Sequence, residues 1–112
     1  MTTYAPIKIV RGEDVTLSGT VTDAAGAVVN ISAGSILFTV KNKLSDADSA
    51  KVFQKSGSGL TSGGLFTIAI ASTDTISLST DSRFYDAELT LAGAKSTISR
   101  GKLIISPEVT KA

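Results

Sequence analysis

Apolar and polar residues alternate along several short segments of the chain. The clearest case is the segment Val15–Thr22, in which Val15, Leu17, Gly19 and Val21 share one face and hydroxyl residues share the other. Successive side chains of a β-strand point to opposite faces of a sheet, so this alternation predicts a strand with one buried face. Five further strands are predicted at Ile7–Val10, Ser35–Lys41, Leu65–Ala71, Phe84–Leu91 and Lys102–Ser106. Short pairing segments are predicted near Val28–Ile31, Val52–Lys55 and Lys95–Ser99.

Turn-forming residues separate these segments. Asp23–Gly26 predicts a turn with Gly26 at positive φ, and Leu91–Ala94 predicts a hairpin between two late strands. The Ser/Gly-rich stretch Ser56–Gly64 predicts a flexible loop. About seven to nine short strands at this spacing are typical of an antiparallel β-sandwich or a small barrel.

The alternation also predicts a single core between two sheets. Its members are the inward apolar residues of the predicted strands, and each strong segment contributes at least two of them. They are Val15, Leu17, Val21, Ile36, Phe38, Val40, Phe66, Ile68, Ile70, Tyr85, Leu89, Leu91, Leu103 and Ile105.

One segment departs from the strand pattern. Ser45–Ala50 predicts a helical turn, because Ser45 can cap a helix and the acids that follow it suit the positive end of the helix dipole. Asp46 and Asp48 could instead contribute to a calcium site, but the distal Glu and the Gly of an EF-hand loop are missing. The helical interpretation is therefore favoured.

Two segments resemble strands of the immunoglobulin fold. Asp81–Ala87 resembles the start of strand F, with Tyr85 at the tyrosine-corner position and Ala87 at that of the conserved Cys. Gly12–Gly19 resembles strand B, with Gly19 in place of the partner Cys. The sequence therefore predicts an immunoglobulin-like sandwich in which Gly19 and Ala87 face each other. Chance similarity between alternating strands is the alternative.

Length and composition fit one folded domain that spans residues 1–112. Of the 112 residues, 42% are hydrophobic and 19% are charged, which is enough apolar material for a core. The formal net charge is +1, from 11 Lys and Arg against 10 Asp and Glu, and the basic residues do not cluster. This balance argues against nucleic acid or a membrane as the main partner. No signal peptide is visible, and no apolar run has the length of a membrane helix.

The residue types argue against an enzyme. The chain has no His and no Cys, so the usual general base, thiol nucleophile and transition-metal ligands are missing. Gly93–Thr97 resembles the end of a phosphate-binding P-loop, but Leu89 and Ala94 stand where that loop requires glycines. A strand rather than a helix is predicted to follow it. The sequence predicts no catalytic residues, no metal site and no cofactor.

Read end to end, the chain resembles a group of small bacteriophage structural proteins that includes the N-terminal domain of phage baseplate upper proteins. The residues that carry this resemblance lie in short strand-like pieces along nearly the whole chain. They are Ile9–Asp14, Asp23–Gly26, Ile36–Lys41, Asp74–Thr75, Phe84–Leu89, Arg100–Ile105 and Ser106–Thr110.

The resemblance implies a virion structural protein made in the host bacterial cytoplasm. Such a protein would belong to the tail or baseplate, or act as an accessory on the capsid exterior. It would bind other virion proteins, or further copies of itself, by protein–protein association. The alternative is a module that attaches the virion to a host receptor or glycan, but aromatic residues make up only 5% of the chain.

The alternation also indicates a candidate interface. Leu37 and Ile104 point away from the core on their strands, and a cluster of the two would form an exposed apolar centre. Scattered exposed apolar residues are the alternative. The charged residues expected to rim that centre are Lys41, Asp86, Glu88 and Lys102.

Overall fold

The computed structural model describes residues 3–4, 6–43 and 51–107. Within these ranges the chain forms eight strands and one short helix. They are β1 (Thr3–Tyr4), β2 (Ile7–Val10), β3 (Val15–Thr20), β4 (Ser35–Lys41), β5 (Phe53–Ser56), β6 (Leu65–Ile70), α1 (Ser72–Thr75), β7 (Ser82–Leu91) and β8 (Ala94–Ser106).

The strands form two sheets. The large sheet has the order β1-β8-β7-β4-β5, with β2 also paired to β8, and the small sheet consists of β3 and β6. The predicted all-β class is confirmed. The order β8-β7-β4-β5 in one sheet and β3-β6 in the other matches strands G-F-C-C′ and B-E of immunoglobulin domains. That sandwich type stays a prediction, which this strand order favours.

The core follows the predicted alternation. Ten of the fourteen predicted core residues are buried, whereas Val15, Leu17, Phe66 and Leu91 are half-buried and pack against the core. Phe38 stacks on Tyr85, with 5.3 Å between the ring centroids. The buried apolar residues are Ile9, Val21, Ile31, Ile36, Phe38, Val40, Ile68, Ile70, Tyr85, Ala87, Leu89, Ile98, Leu103 and Ile105.

The last two predicted segments form one long strand. Lys95–Ser99 and Lys102–Ser106 both lie in β8, which pairs with β7 along its length. Ser99 pairs with Ala87 and Thr97 pairs with Glu88, so Ile98 is the extra residue of a β-bulge. A bulge breaks the alternation of side chains. This explains why the periodicity did not place Ile98, which is buried, in the core.

Both predicted turns form. In the first, the Asp23 carboxylate accepts hydrogen bonds from the N–H groups of Ala25 (2.9 Å) and Ala27 (3.0 Å), and Gly26 has a φ of 85°. In the second, Ala92 and Gly93 have φ values of 53° and 81°, as a two-residue type I′ hairpin turn requires.

The Ser/Gly-rich stretch Ser56–Gly64 has a defined path from the large sheet to the small one. Ser58 exchanges two backbone hydrogen bonds with Thr67, at 2.8 and 2.9 Å. A Cβ on Gly57 would lie 2.9 Å from the Ile36 Cβ, and one on Gly64 would lie 2.7 Å from the Val21 carbonyl oxygen. The composition that predicted flexibility therefore reflects close backbone approach.

Buried Arg83 is hydrogen-bonded to the segment between α1 and β7. Its guanidinium donates to the Ser79 carbonyl (3.0 Å), the Ser79 hydroxyl (3.1 Å) and the Asn42 side-chain oxygen (3.1 Å). Tyr85, at the predicted tyrosine-corner position, places its hydroxyl 3.1 Å from the Ser99 hydroxyl on β8 and takes part in a further interaction. The tyrosine corner stays a prediction. The predicted helical turn Ser45–Ala50, with Asp46 and Asp48, lies outside the described residues.

Candidate protein interaction site

The six predicted interface residues all lie on the outward face of the large sheet, the face away from the core. Leu37 is 37% exposed and pairs with Glu88, whereas Ile104 is half-buried and pairs with Ser82. Glu88 and Ser82 lie six residues apart on β7, a separation of about 20 Å along a strand. The interpretation that Leu37 and Ile104 cluster is therefore wrong.

The predicted rim residues are spread along the same face. Lys41 and Lys102 flank Phe84 on either side, and Asp86 lies two residues further along β7. Glu88 lies beside Leu37 at the far end. The alternation correctly assigned all six residues to one face of the sheet, but it could not show that they are spread along that face. Their position along that face depends on the pairing register, which a single strand's pattern does not contain.

A cleft on this outward face encloses about 240 Å³ around Phe84. Lys41, Asp86 and Arg100 line it, together with two threonines. Each of these three charged residues takes part in a further polar or electrostatic interaction. The charged residues of this cleft therefore already have interaction partners. Phe84 contributes a half-buried apolar side chain to its lining.

A second cavity, of about 220 Å³, lies between the two sheets. Gly19 and Ala87, the two residues that the predicted immunoglobulin alignment places at the disulfide positions, border it. The structure leaves space between the sheets at these two small residues. The Phe66 ring covers Gly19, and a Cβ at residue 19 would lie 2.7 Å from the ring's Cζ. A cysteine at residue 19 would meet this ring before it could bridge to residue 87.

This cavity reaches the surface along β3. Ser18 and Thr20 border it although their side chains are exposed, so the opening follows the backbone edge of the strand. The other side of the opening is formed by Ile7 of β2 and by Ile98 and Ser99 of the β8 bulge. We call this opening, between β3 and the β2–β8 edge, the flank groove.

The hydrogen-bond pattern shows which way the β3 backbone points. The Val21 N–H donates to the Gly64 carbonyl at 2.8 Å, so Val15, Leu17 and Gly19, at alternate positions before it, also direct their backbone groups toward β6. The intervening residues direct theirs toward the flank groove. Independent support comes from Thr67, whose N–H and C=O bond Ser58 and not its β3 partner Ser18.

Three β3 residues therefore present backbone N–H and C=O groups at a free edge. Thr16, Ser18 and Thr20 are exposed, and they make no hydrogen bond at this edge to any residue that the structure describes. Exposed strand edges are usually protected by Lys, Pro or a bulge. The segment Val15–Thr20 contains no Lys or Pro, and its register with β6 is unbroken.

Metal-binding clusters and unpaired buried polar atoms are absent from the described residues. Among them, no group of three or more Asp or Glu residues is arranged to hold a metal ion. In the same ranges, no buried side-chain nitrogen or oxygen lacks a hydrogen-bond partner. No helix in this part of the chain is long and apolar enough to cross a membrane.

No protein-family model matches the sequence, and no curated protein matches it. The candidate site therefore rests on the geometry of this chain.

Proposed function

We propose that this chain is a protein-association domain that serves as a structural component of a bacteriophage virion, in the tail or baseplate or on the capsid exterior. The observation that carries the association role is the free edge of β3, where Thr16, Ser18 and Thr20 expose backbone groups beside an open cavity. Backbone edges of this kind bind other polypeptides through main-chain hydrogen bonds.

The virion assignment rests on the sequence resemblance to phage structural proteins. The lack of His and Cys is consistent with a role in binding rather than catalysis. The formal net charge of only +1 favours proteins over nucleic acids as partners. These partners would be other virion proteins or further copies of the chain.

Attachment to a host receptor or glycan is the alternative function. Aromatic side chains that stack on sugars would have to lie exposed, but Phe38 and Tyr85 are buried and Phe53 and Phe66 pack against the core. Phe84 lies on the outward face, half-buried between charged residues. These five aromatic residues therefore favour association with proteins.

Mass spectrometry of purified particles of the phage that encodes the chain tests the virion assignment. We expect the chain in the particle at a fixed copy number, retained after a salt wash. Absence from the particle would contradict the assignment.

Two variants then locate the surface that the particle uses. Ser18→Pro removes an N–H at the free edge, whereas Ile104→Lys places a charge on the outward face of the large sheet. We expect folded Ile104→Lys protein to be incorporated and folded Ser18→Pro protein to be lost. The opposite pattern would move the interface to the outward face.

A further inference from the structure

We infer that the flank groove accepts an extended segment of another polypeptide, which pairs with β3 and inserts an apolar side chain between the sheets. This inference rests on the proposed association function and specifies its partner. The partner is a strand-forming segment in which alternate residues are apolar. Three features of the chain support it, namely the backbone of β3, the cavity beside it and the contrast with the other edges.

The first feature is the match of backbone groups. Thr16, Ser18 and Thr20 present N–H and C=O groups at every second residue, about 7 Å apart along the edge. An extended polypeptide repeats its own donors and acceptors at the same interval, so it can satisfy all three residues at once. A small ligand is too short to bond all three residues at once. This is the geometry of strand addition at a sheet edge.

The second feature is the space beside that edge. Every second side chain of an added strand would point into the groove between the sheets. The cavity there measures about 220 Å³ and is lined by apolar groups that include Ile68, Phe38 and Phe66. An apolar cavity of about 150 Å³ is large enough to hold benzene. The cavity therefore has room for the side chain of a Leu or Phe.

The third feature is the contrast between β3 and other edge strands of the fold. β2 carries Lys8, which is exposed, and β5 carries Lys55, which forms an ion pair with Asp74 at 2.8 Å. Lysines at an edge oppose unwanted strand pairing. β3 has neither a Lys nor an ion pair within Val15–Thr20. β3 therefore lacks this protection, and it borders the cavity.

A tethered probe strand tests whether the groove accepts a segment of this kind. The segment Lys-Thr-Val-Thr-Leu-Thr-Val-Thr-Lys is fused to the N-terminus of the full chain through a flexible Gly/Ser linker. A short tether raises the local concentration of the probe to the millimolar range, so that a weak generic strand can occupy the groove. A matched fusion carries Asp in place of the central Leu. Amide hydrogen exchange is measured by NMR on both fusions and on the free chain.

We expect the Leu probe to slow exchange at least about tenfold at Thr16, Ser18 and Thr20, and the Asp probe to leave it unchanged. The amides of Leu17 and Gly19 already bond to β6 and should respond little. Unchanged exchange with the Leu probe would overturn the inference. Equal protection by both probes would overturn the insertion of an apolar side chain.

Two variants in the Leu fusion show where the probe binds. Ser18→Pro removes one edge N–H without touching the ladder to β6, so protection at Thr16 and Thr20 should disappear. Ala87→Leu fills part of the cavity and should weaken protection even where Ser18→Pro does not fold. Protection that survives Ala87→Leu would contradict binding in the groove.

The free chain alone tests the competing occupant, a second copy. If light scattering shows a dimer and the three edge amides are already protected, β3 pairs with itself and the inference is wrong. The proposed function is tested separately. Incorporation of folded Ser18→Pro protein into particles would reject the groove and leave the virion assignment standing, whereas absence of the wild-type chain would reject that assignment.

Discussion

The ring of Phe66 lies over Gly19 on the neighbouring strand of the small sheet. The two residues are directly opposite each other in the β3–β6 register, and a Cβ built on Gly19 would lie 2.7 Å from the Phe66 Cζ. The absence of a side chain on Gly19 thus leaves room for the tip of the Phe66 ring, and both residues border the cavity. This contact shapes the inner wall of the flank groove.

A double-mutant cycle should reveal this contact. We expect Gly19→Ala to destabilise the wild-type protein, because the Phe66 ring must move away from the new methyl group. In a Phe66→Leu background the same change should cost little. Contacting residues couple by about 0.5–3 kcal/mol, and we expect a coupling near 1 kcal/mol from urea unfolding. Additive effects of the two substitutions would contradict the described packing.

The two core aromatics should differ in their contribution to stability. Phe38 is 1% exposed and stacks on Tyr85, whereas Phe66 is half-buried and borders open space. Phe38→Ala should therefore cost about 3–5 kcal/mol, the range for a buried aromatic residue. Phe66→Ala should cost less. Urea unfolding of both variants checks the order, and a larger loss at Phe66 would contradict it.

The strands were predictable because their signal is local. Ile7–Val10 and Ser35–Lys41 have the same bounds in the sequence prediction and in the structure. What alternation could not supply was the relation between strands. The separation of Leu37 from Ile104 follows from register, and the burial of Ile98 follows from a bulge. Both depend on partners distant in sequence.

Arg83 should be far more important for stability than an exposed arginine. Its three hydrogen bonds hold Ser79 and Asn42, and a Lys cannot reproduce the planar fork that makes them. Hydrogen bonds to charged groups contribute about 1.5–3 kcal/mol, so we expect Arg83→Lys to lose at least 1.5 kcal/mol. The matched control is the reverse exchange, Lys95→Arg, at an exposed position, with an expected change within about 0.5 kcal/mol. Similar losses in thermal or urea unfolding would contradict this role.

The β7–β8 turn contains a position that can be improved. Ala92 has a φ of 53°, in the left-handed region that costs an ordinary residue about 1–2 kcal/mol. Asn tolerates this region and is favoured at the first position of a type I′ turn. Ala92→Asn should therefore raise stability by about 0.5–1 kcal/mol. Gly93→Ala, with φ at 81°, should lower it. Destabilisation by Ala92→Asn would contradict the turn type.

The candidate site was harder to predict than the fold. The segment Val15–Thr20 showed its alternation clearly, and its lack of Lys and Pro was visible in the sequence. That lack has meaning only for a strand at an edge, and the position of β3 at an edge emerges from sheet order. The cavity likewise depends on how the strands are arranged, which no single segment of the sequence contains. Gly19 and Ala87 both border the space between the sheets, but only packing shows that this space stays partly open.

Hydrogen exchange of β3 in the purified particle, followed by mass spectrometry, tests the central claim most directly. We expect peptides that cover Thr16–Thr20 to exchange markedly more slowly in the particle than in the free chain, because a partner strand satisfies their backbone groups. Peptides from the outward face, such as those that contain Asp86, should change less. If the chain is present in the particle and its β3 peptides exchange as fast as in the free protein, the account of strand addition is wrong.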